Sequence, residues 1–146
     1  MQFQEYLPQD GWNIEGGSEG RLKINGETHT EAVCLIEGRC LPANAARPQN
    51  LTADSFSDGL SKYAPPEIIL IGTGKTQQFL HPKLNAALAA QGIGIEYMNT
   101  AAACRTLLML QSEGRRVWAW LWPSKHKKRP SENTAPAAFR RPAIMP

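Results

Sequence analysis

Two stretches of the chain hold residue types that do chemistry. Gly72-Thr73-Gly74-Lys75-Thr76 has the ingredients of a phosphate loop, with glycines that let the backbone curl round an anion and a lysine to neutralise it. The spacing argues against that use. A Walker loop needs a glycine five positions before Gly74, where Ile69 stands. A dinucleotide fingerprint needs a glycine three positions after Gly74, where Gln77 stands. The structural alternative is a tight strand exit whose glycines take positive φ.

The second stretch is Asn99-Thr100-Ala101-Ala102-Ala103-Cys104-Arg105-Thr106. Its alanines leave the start of a helix free of bulk, so a ligand or another backbone can approach. Arg105 near the positive end of the helix dipole is disfavoured by roughly 0.3–1 kcal/mol. A bound anion would offset that, and the free N–H groups of a helix start are good anion donors. Lys75 could join Arg105 there. Alternatively Arg105 is structural and pairs with Glu96 or Glu67. Cys104 beside Arg105 could have a lowered pKa and act as a nucleophile. Such an enzyme needs a base, and His81, between the two loops, has no Asp or Asn placed to orient it. The plainer reading of Cys104 is a buried, inert thiol. Cys34 and Cys40 lack the partner pair of a metal site, so neither metal nor cofactor is expected. The candidate ligand-binding residues are therefore Gly72, Thr73, Gly74, Lys75, Asn99, Thr100, Cys104 and Arg105, with no catalytic set.

These residues need elements to position them. Glu67–Ile71 is a continuous apolar run after its first residue, as in a strand covered on both faces. Pro82 suits the first turn of a helix whose Leu84, Ala87 and Leu88 share a face, and Gly92 is placed to end it. Ile93–Met98 reads as a strand. Asn99 or Thr100 caps the next helix, which Gly114 ends. Arg116–Trp122 is a last strand, with Val117, Ala119 and Leu121 on one face and Trp118, Trp120 and Trp122 on the other. Covered, the indoles are core; exposed, they are a binding patch. This strand–helix–strand–helix–strand order predicts α/β architecture, with at least the first two strands parallel. Loops after Ile71 and Met98 then leave the sheet at one edge, where such folds bind ligands. Upstream, Arg21–Asn25 alternates as a half-buried strand. Asn25-Gly26 turns it into a partner over Thr28–Arg39, a hairpin that extends or flanks the sheet. Pro42 to Pro48 reads as a loop, and Thr52–Phe56 opens a short helix.

The chain has 146 residues and a net charge of +3. The basic excess is local: residues 124–146 carry six basic side chains and one acid, leaving the rest at −2. One domain is expected over 21–123, with a loosely ordered leader over 1–20 on which Tyr6, Trp12 and Ile14 could dock, and a disordered, basic, proline-rich tail over 124–146. The Lys125–Arg129 run could touch RNA or anionic lipid, but a solvated tail is the default, so nucleic acid is not an expected partner. The longest apolar stretches, such as Val117–Trp122, fall far short of a span, so no membrane insertion is expected. The amino-terminal residues lack the pattern of a signal or transit peptide. Three scattered cysteines read as reduced thiols, and a cytoplasmic location follows.

Residues 66–123 carry a resemblance. Pro66–Gly74, then Gly92–Met98, then Thr100–Thr106 and Glu113–Val117 are similar to a family of small bacterial and archaeal proteins of unknown function that includes a mitochondrial assembly factor of respiratory complex I. Asn25-Gly26 and the strand after it fit the family's first half. The resemblance implies a compact three-layer α/β domain around a mixed sheet. It implies no reaction. Asn99 stands where the family commonly has Asp, and Leu107-Leu108 where Tyr-Asn is expected, which removes polar groups beside the candidate site. The function expected is that of a non-enzymatic interaction or assembly protein whose partner is another protein. The alternatives are a binder of a small anion at the two loops and a thiol enzyme using Cys104.

Overall fold

A computed structural model describes residues 11–16 and 20–124. The first strands, β1 (Ile14–Gly16), β2 (Leu22–Ile24) and β3 (Glu27–His29), form a small antiparallel sheet in that order. Asn25 and Gly26, with φ of 48° and 87°, make the two-residue turn between β2 and β3. The partner strand expected over Thr28–Arg39 is not continuous. It breaks after His29, and β4 (Val33–Ile36) belongs to a second sheet. A second tight turn at Glu37-Gly38, with φ of 50° and 78°, folds β4 onto β5 (Arg39–Pro42), a stretch whose end had read as loop. The chain switches sheets between His29 and Val33, so one run of extended residues serves two layers.

A single 3-10 turn (Pro48–Asn50) and helix α1 (Asp54–Lys62) lead to β6 (Ile68–Gly72). Then follow α2 (Pro82–Ala89), β7 (Gly94–Met98), α3 (Thr100–Ser112) and β8 (Val117–Leu121). The five-stranded sheet has the order β5-β4-β8-β6-β7. Strand β6 is parallel to both β7 and β8, as the alternating strand–helix pattern requires, while β4 is antiparallel to β8. The sheet is mixed, and β6 lies inside it, which is why its apolar run is unbroken.

The sheet separates two cores. On one face α1 and α2 bury Phe56, Leu84 and Leu88 against Ile69, Ile71, Trp118, Trp120 and Trp122. On the other, α3 and the small sheet bury Cys104, Leu107, Ile14, Leu22 and Ile24 against Leu70, Ala119 and Leu121. These are the three expected layers. The period-2 reading of β8 holds: its indoles all face the first core and its small and aliphatic residues the second. Trp118 and Trp120 are almost wholly buried, and Trp122 is buried as well. Trp118 donates to Glu37 at 2.9 Å and Trp122 to the Ala46 carbonyl at 3.1 Å, so these two buried indole N–H groups have acceptors. Ahead of residue 21, Trp12 and Ile14 are buried in the α3-side core. Tyr6 and the run Lys125–Arg129 lie outside the described residues.

Candidate functional site

The carboxyl ends of β6, β7 and β8 meet at one edge, and the loops after them bring Gly72, Thr73, Gly74, Asn99 and Thr100 together. Backbone groups and two threonine hydroxyls make the contacts. The Thr73 N–H donates to the Met98 carbonyl at 2.8 Å, and the Trp122 N–H donates to the Gly72 carbonyl at 2.9 Å. Thr100 closes the arrangement. Its N–H donates to the Gly74 carbonyl, and its hydroxyl accepts from the Gly74 N–H, each at 2.8 Å. The same hydroxyl donates to the Trp122 carbonyl. Thr100 is fully buried. The Thr73 hydroxyl donates to the Thr76 carbonyl at 2.7 Å and accepts from the Gln78 N–H at 3.1 Å, which folds the following loop back on itself.

Gly72 is required by close approach. A Cβ there would stand 3.0 Å from Leu121 Cδ2 and 3.1 Å from both Ala103 Cβ and Thr100 Cα. The alanines of α3 thus make room for β6. Gly74 has a φ of 97°, the positive value expected of a tight strand exit. The N–H groups that a phosphate loop would turn toward its anion are, at Thr73 and Gly74, bonded within the fold.

Helix α3 starts as its sequence requires. Asn99 is its cap, and its side-chain oxygen accepts from the Ala102 N–H at 2.8 Å. The Ala103 N–H donates to the Asn99 carbonyl. With Thr100 bonded to Gly74, Ala101 keeps the one first-turn N–H that has no acceptor among the described residues. The Asn99 found in place of Asp caps the helix without adding a charge.

The remaining candidates separate. Cys104 is buried, and burial pushes its thiol up from 9.0 to about 11, with the Arg105 charge opposing part of the rise. The lowered pKa considered from its place beside Arg105 is thus reversed, because desolvation outweighs one exposed cation. His81 caps α2: its Nδ1 accepts from the Lys83 N–H at 3.1 Å. Cys34 and Cys40 are buried, and desolvation raises each to about 12. Lys75 and Arg105 are exposed. Neither acid expected beside Arg105 pairs with it: Glu67 accepts from Arg115 at 2.6 Å, and Glu96 has no ion pair among the described residues. Arg105 is six residues past the Asn99 cap, beyond the first turn, where the dipole has largely faded.

The Thr100 clasp was missed from sequence. Its partners Gly74 and Trp122 are distant in the chain, and nothing local announces them. Phe79 was missed too. It is 73% exposed and stands edge-on to Tyr97 with ring centroids 6.1 Å apart.

A family model described as "Protein of unknown function (DUF498/DUF598)" matches residues 14–122. The chain belongs to this family. The resemblance drawn from residues 66–123 therefore holds. A DUF498 relative in Mus musculus is named NADH dehydrogenase (ubiquinone) 1 alpha subcomplex assembly factor 3. It is 36% identical over 121 residues, which is 83% of this chain and 65% of that protein. The chain thus spans just under two thirds of that relative's length. An uncharacterised protein of Rhodobacter capsulatus is 33% identical over 75% of this chain and 83% of its own. A crystal structure from Bordetella parapertussis superposes with a TM-score of 0.70 at 33% identity, covering 77% of this chain and 96% of that one. Among the described residues no helix is long and apolar enough to cross a membrane, and no group of side chains is arranged to hold a metal ion.

Proposed function

We propose that this DUF498 protein is an interaction protein that helps assemble a larger complex, working by contact rather than by catalysis. The observation that carries this reading is the 36% identity, over 83% of the chain, to a protein named for assembly of an NADH dehydrogenase. The geometry agrees with it. The ligand edge of the sheet is fastened by its own hydrogen bonds, and the three thiols are buried with raised pKa values. The partner is another protein. The free cysteines suit the reducing compartment in which the chain is made, which in a bacterium is the cytoplasm. The test is deletion of the protein in its own cells, with assembled NADH dehydrogenase followed on native gels. The expected result is accumulation of incomplete complex, restored by the wild-type chain. Normal assembly in the deletion strain would refute the role.

A second reading has one observation in its favour. The Ala101 N–H has no acceptor among the described residues, and two exposed cations, Lys75 in the loop after β6 and Arg105 in α3, lie on the two segments that meet there. A small anion held by Gly72–Lys75 and Asn99–Arg105 would use them. Arg105→Ala should then leave stability within about 0.5 kcal/mol, because an exposed arginine without an ion pair strands nothing when removed. It should also abolish any stabilisation by ~10–50 mM phosphate at constant ionic strength. Equal stability of wild type with and without phosphate removes this reading.

A further inference from the structure

The five-stranded sheet ends in β7, beside α2 and α3, and no other described strand pairs with its outer side. In a parallel pair the backbone groups of alternate residues point toward the neighbouring strand and those between point away. The Gly94 N–H donates to the Glu67 carbonyl at 3.0 Å, and the Met98 carbonyl accepts from Thr73 at 2.8 Å. Gly94, Glu96 and Met98 are thus bonded toward β6, and Ile95 and Tyr97 turn their backbone groups outward. Gln77 Nε2 donates to the Tyr97 carbonyl at 2.9 Å, through an exposed amide. The N–H groups of Ile95 and Tyr97 and the Ile95 carbonyl have no partner among the described residues. The opposite edge, β5, ends in Pro42, which has no N–H to offer.

Two side-chain features coincide with this open edge. Phe79, the most exposed large apolar residue described, leans on Tyr97 beside the strand. Glu96, at the centre of β7, is exposed and has no ion pair among the described residues. We propose that β7 is a docking edge that accepts an extended segment of a partner protein as an added strand, with a basic side chain against Glu96 and apolar ones over Ile95 and Phe79. The inference rests on the assembly reading above and names the surface through which it acts.

Charge selects the occupant. A second copy would add by a two-fold axis. The two-fold register that pairs both Ile95 and Tyr97 is centred on Glu96. It sets Glu96 against its own copy at a non-hydrogen-bonded position, about 4.5 Å between Cα atoms, where like charges repel. A register centred on Ile95 would need Ile93, whose N–H already donates to Leu88 at 3.0 Å. One centred on Tyr97 would have to displace Gln77 from the Tyr97 carbonyl in both copies, where a foreign segment displaces it from one. A lysine or arginine on a different chain turns the Glu96 repulsion into attraction, and the lone carboxylate also discourages indiscriminate edge pairing.

The experiment uses the full chain and two pools of amidated peptides of about ten residues, alternating Val, Ile, Thr or Phe with polar residues. One pool has lysine at the central polar position and the other has glutamate. The lysine pool should be retained about fivefold better, the ratio expected of one favourable instead of one unfavourable cross-strand charge pair. Binding should slow hydrogen exchange at the Ile95 and Tyr97 amides. Glu96→Lys should invert the preference. Ile95→Pro, which removes an N–H that has no acceptor among the described residues, should abolish retention. Because it also removes the packing of Ile95 on the α2-side core, retention is read well below its melting temperature, and Ile95→Val, which keeps the N–H, should retain the lysine pool. Equal retention of the two pools, no retention of either, or retention indifferent to Glu96→Lys overturns the proposal. So does a dimer of the unbound chain in which the Ile95 and Tyr97 amides are already protected, since that gives the edge to a second copy. Failure of the assembly reading is distinguishable. A stoichiometric partner recovered equally by wild type and by Ile95→Pro sinks the docking edge alone, whereas normal complex assembly in the deletion strain sinks the broader reading.

Discussion

The Thr100 hydroxyl accepts from the Gly74 N–H and donates to the Trp122 carbonyl, so one buried oxygen ties the exits of β6 and β8 to the start of α3. Thr100→Val keeps the shape and removes both bonds. Each buried group left without a partner costs about 1–3 kcal/mol, so chemical denaturation should show a loss of about 2–4 kcal/mol. A loss under about 0.5 kcal/mol would mean water replaces the hydroxyl and the edge is open. The cysteines make a second residue-scale prediction. Burial raises Cys104 to about 11 and Cys34 and Cys40 to about 12, from an ordinary 9.0. The folded state then holds thiol protons that the unfolded chain releases above pH 9. The associated stability is whole below that pH and falls as pH rises from about 9 toward 12. The melting temperature should therefore drop across that window, and less steeply in Cys104→Ala. At pH 7 native Cys104 should react with a thiol reagent only as fast as the domain opens. Complete labelling within seconds would revive the thiol-enzyme alternative.

At the scale of elements, β6 and α3 meet without side chains between them at Gly72. Gly72→Ala should cost about 1–3 kcal/mol, since the added methyl meets the Thr100 backbone as well as movable side chains. Urea denaturation measures it, and a neutral result would show that α3 can back away from the sheet. This packing also explains what the sequence made legible. The parallel β6-β7 pair follows from two strand-like runs joined by a helix, and the indole stripe of β8 follows from period 2. The Asn25-Gly26 turn is a local signal and is present, and of the two caps the sequence allowed for α3, Asn99 or Thr100, Asn99 is the one used. What was not legible is long-range. The apolar run through Val33–Ile36 suits a strand in either sheet, so the break after His29 leaves no mark in it. The candidate site was legible as a place, two loops at one edge. Its use was not, because whether Gly74 and Thr100 offer their polar groups to a ligand or to each other depends on a tertiary contact.

For the whole molecule, the DUF498 match spans residues 14–122, and the buried Trp12 and Ile14 belong to the same core as α3. Residues 124–146 are proposed to contribute nothing to that core. A chain ending at Pro123 should melt within about 5 °C of the full chain, a shift on the order of 1 kcal/mol for a domain of this size. A larger fall would show that the tail docks. The basic tail against a mildly acidic body also makes the charge of the chain two-sided, so binding that follows the tail should weaken with salt and binding through β7 less so. The claim that this chain works by protein contact is tested most directly by purifying the full, tagged chain from its own cells and weighing the intact complex by native mass spectrometry. The account predicts one dominant species containing the chain and a second polypeptide in fixed ratio, absent when the partner's gene is removed. The chain alone, or the chain carrying only a small molecule, would contradict it.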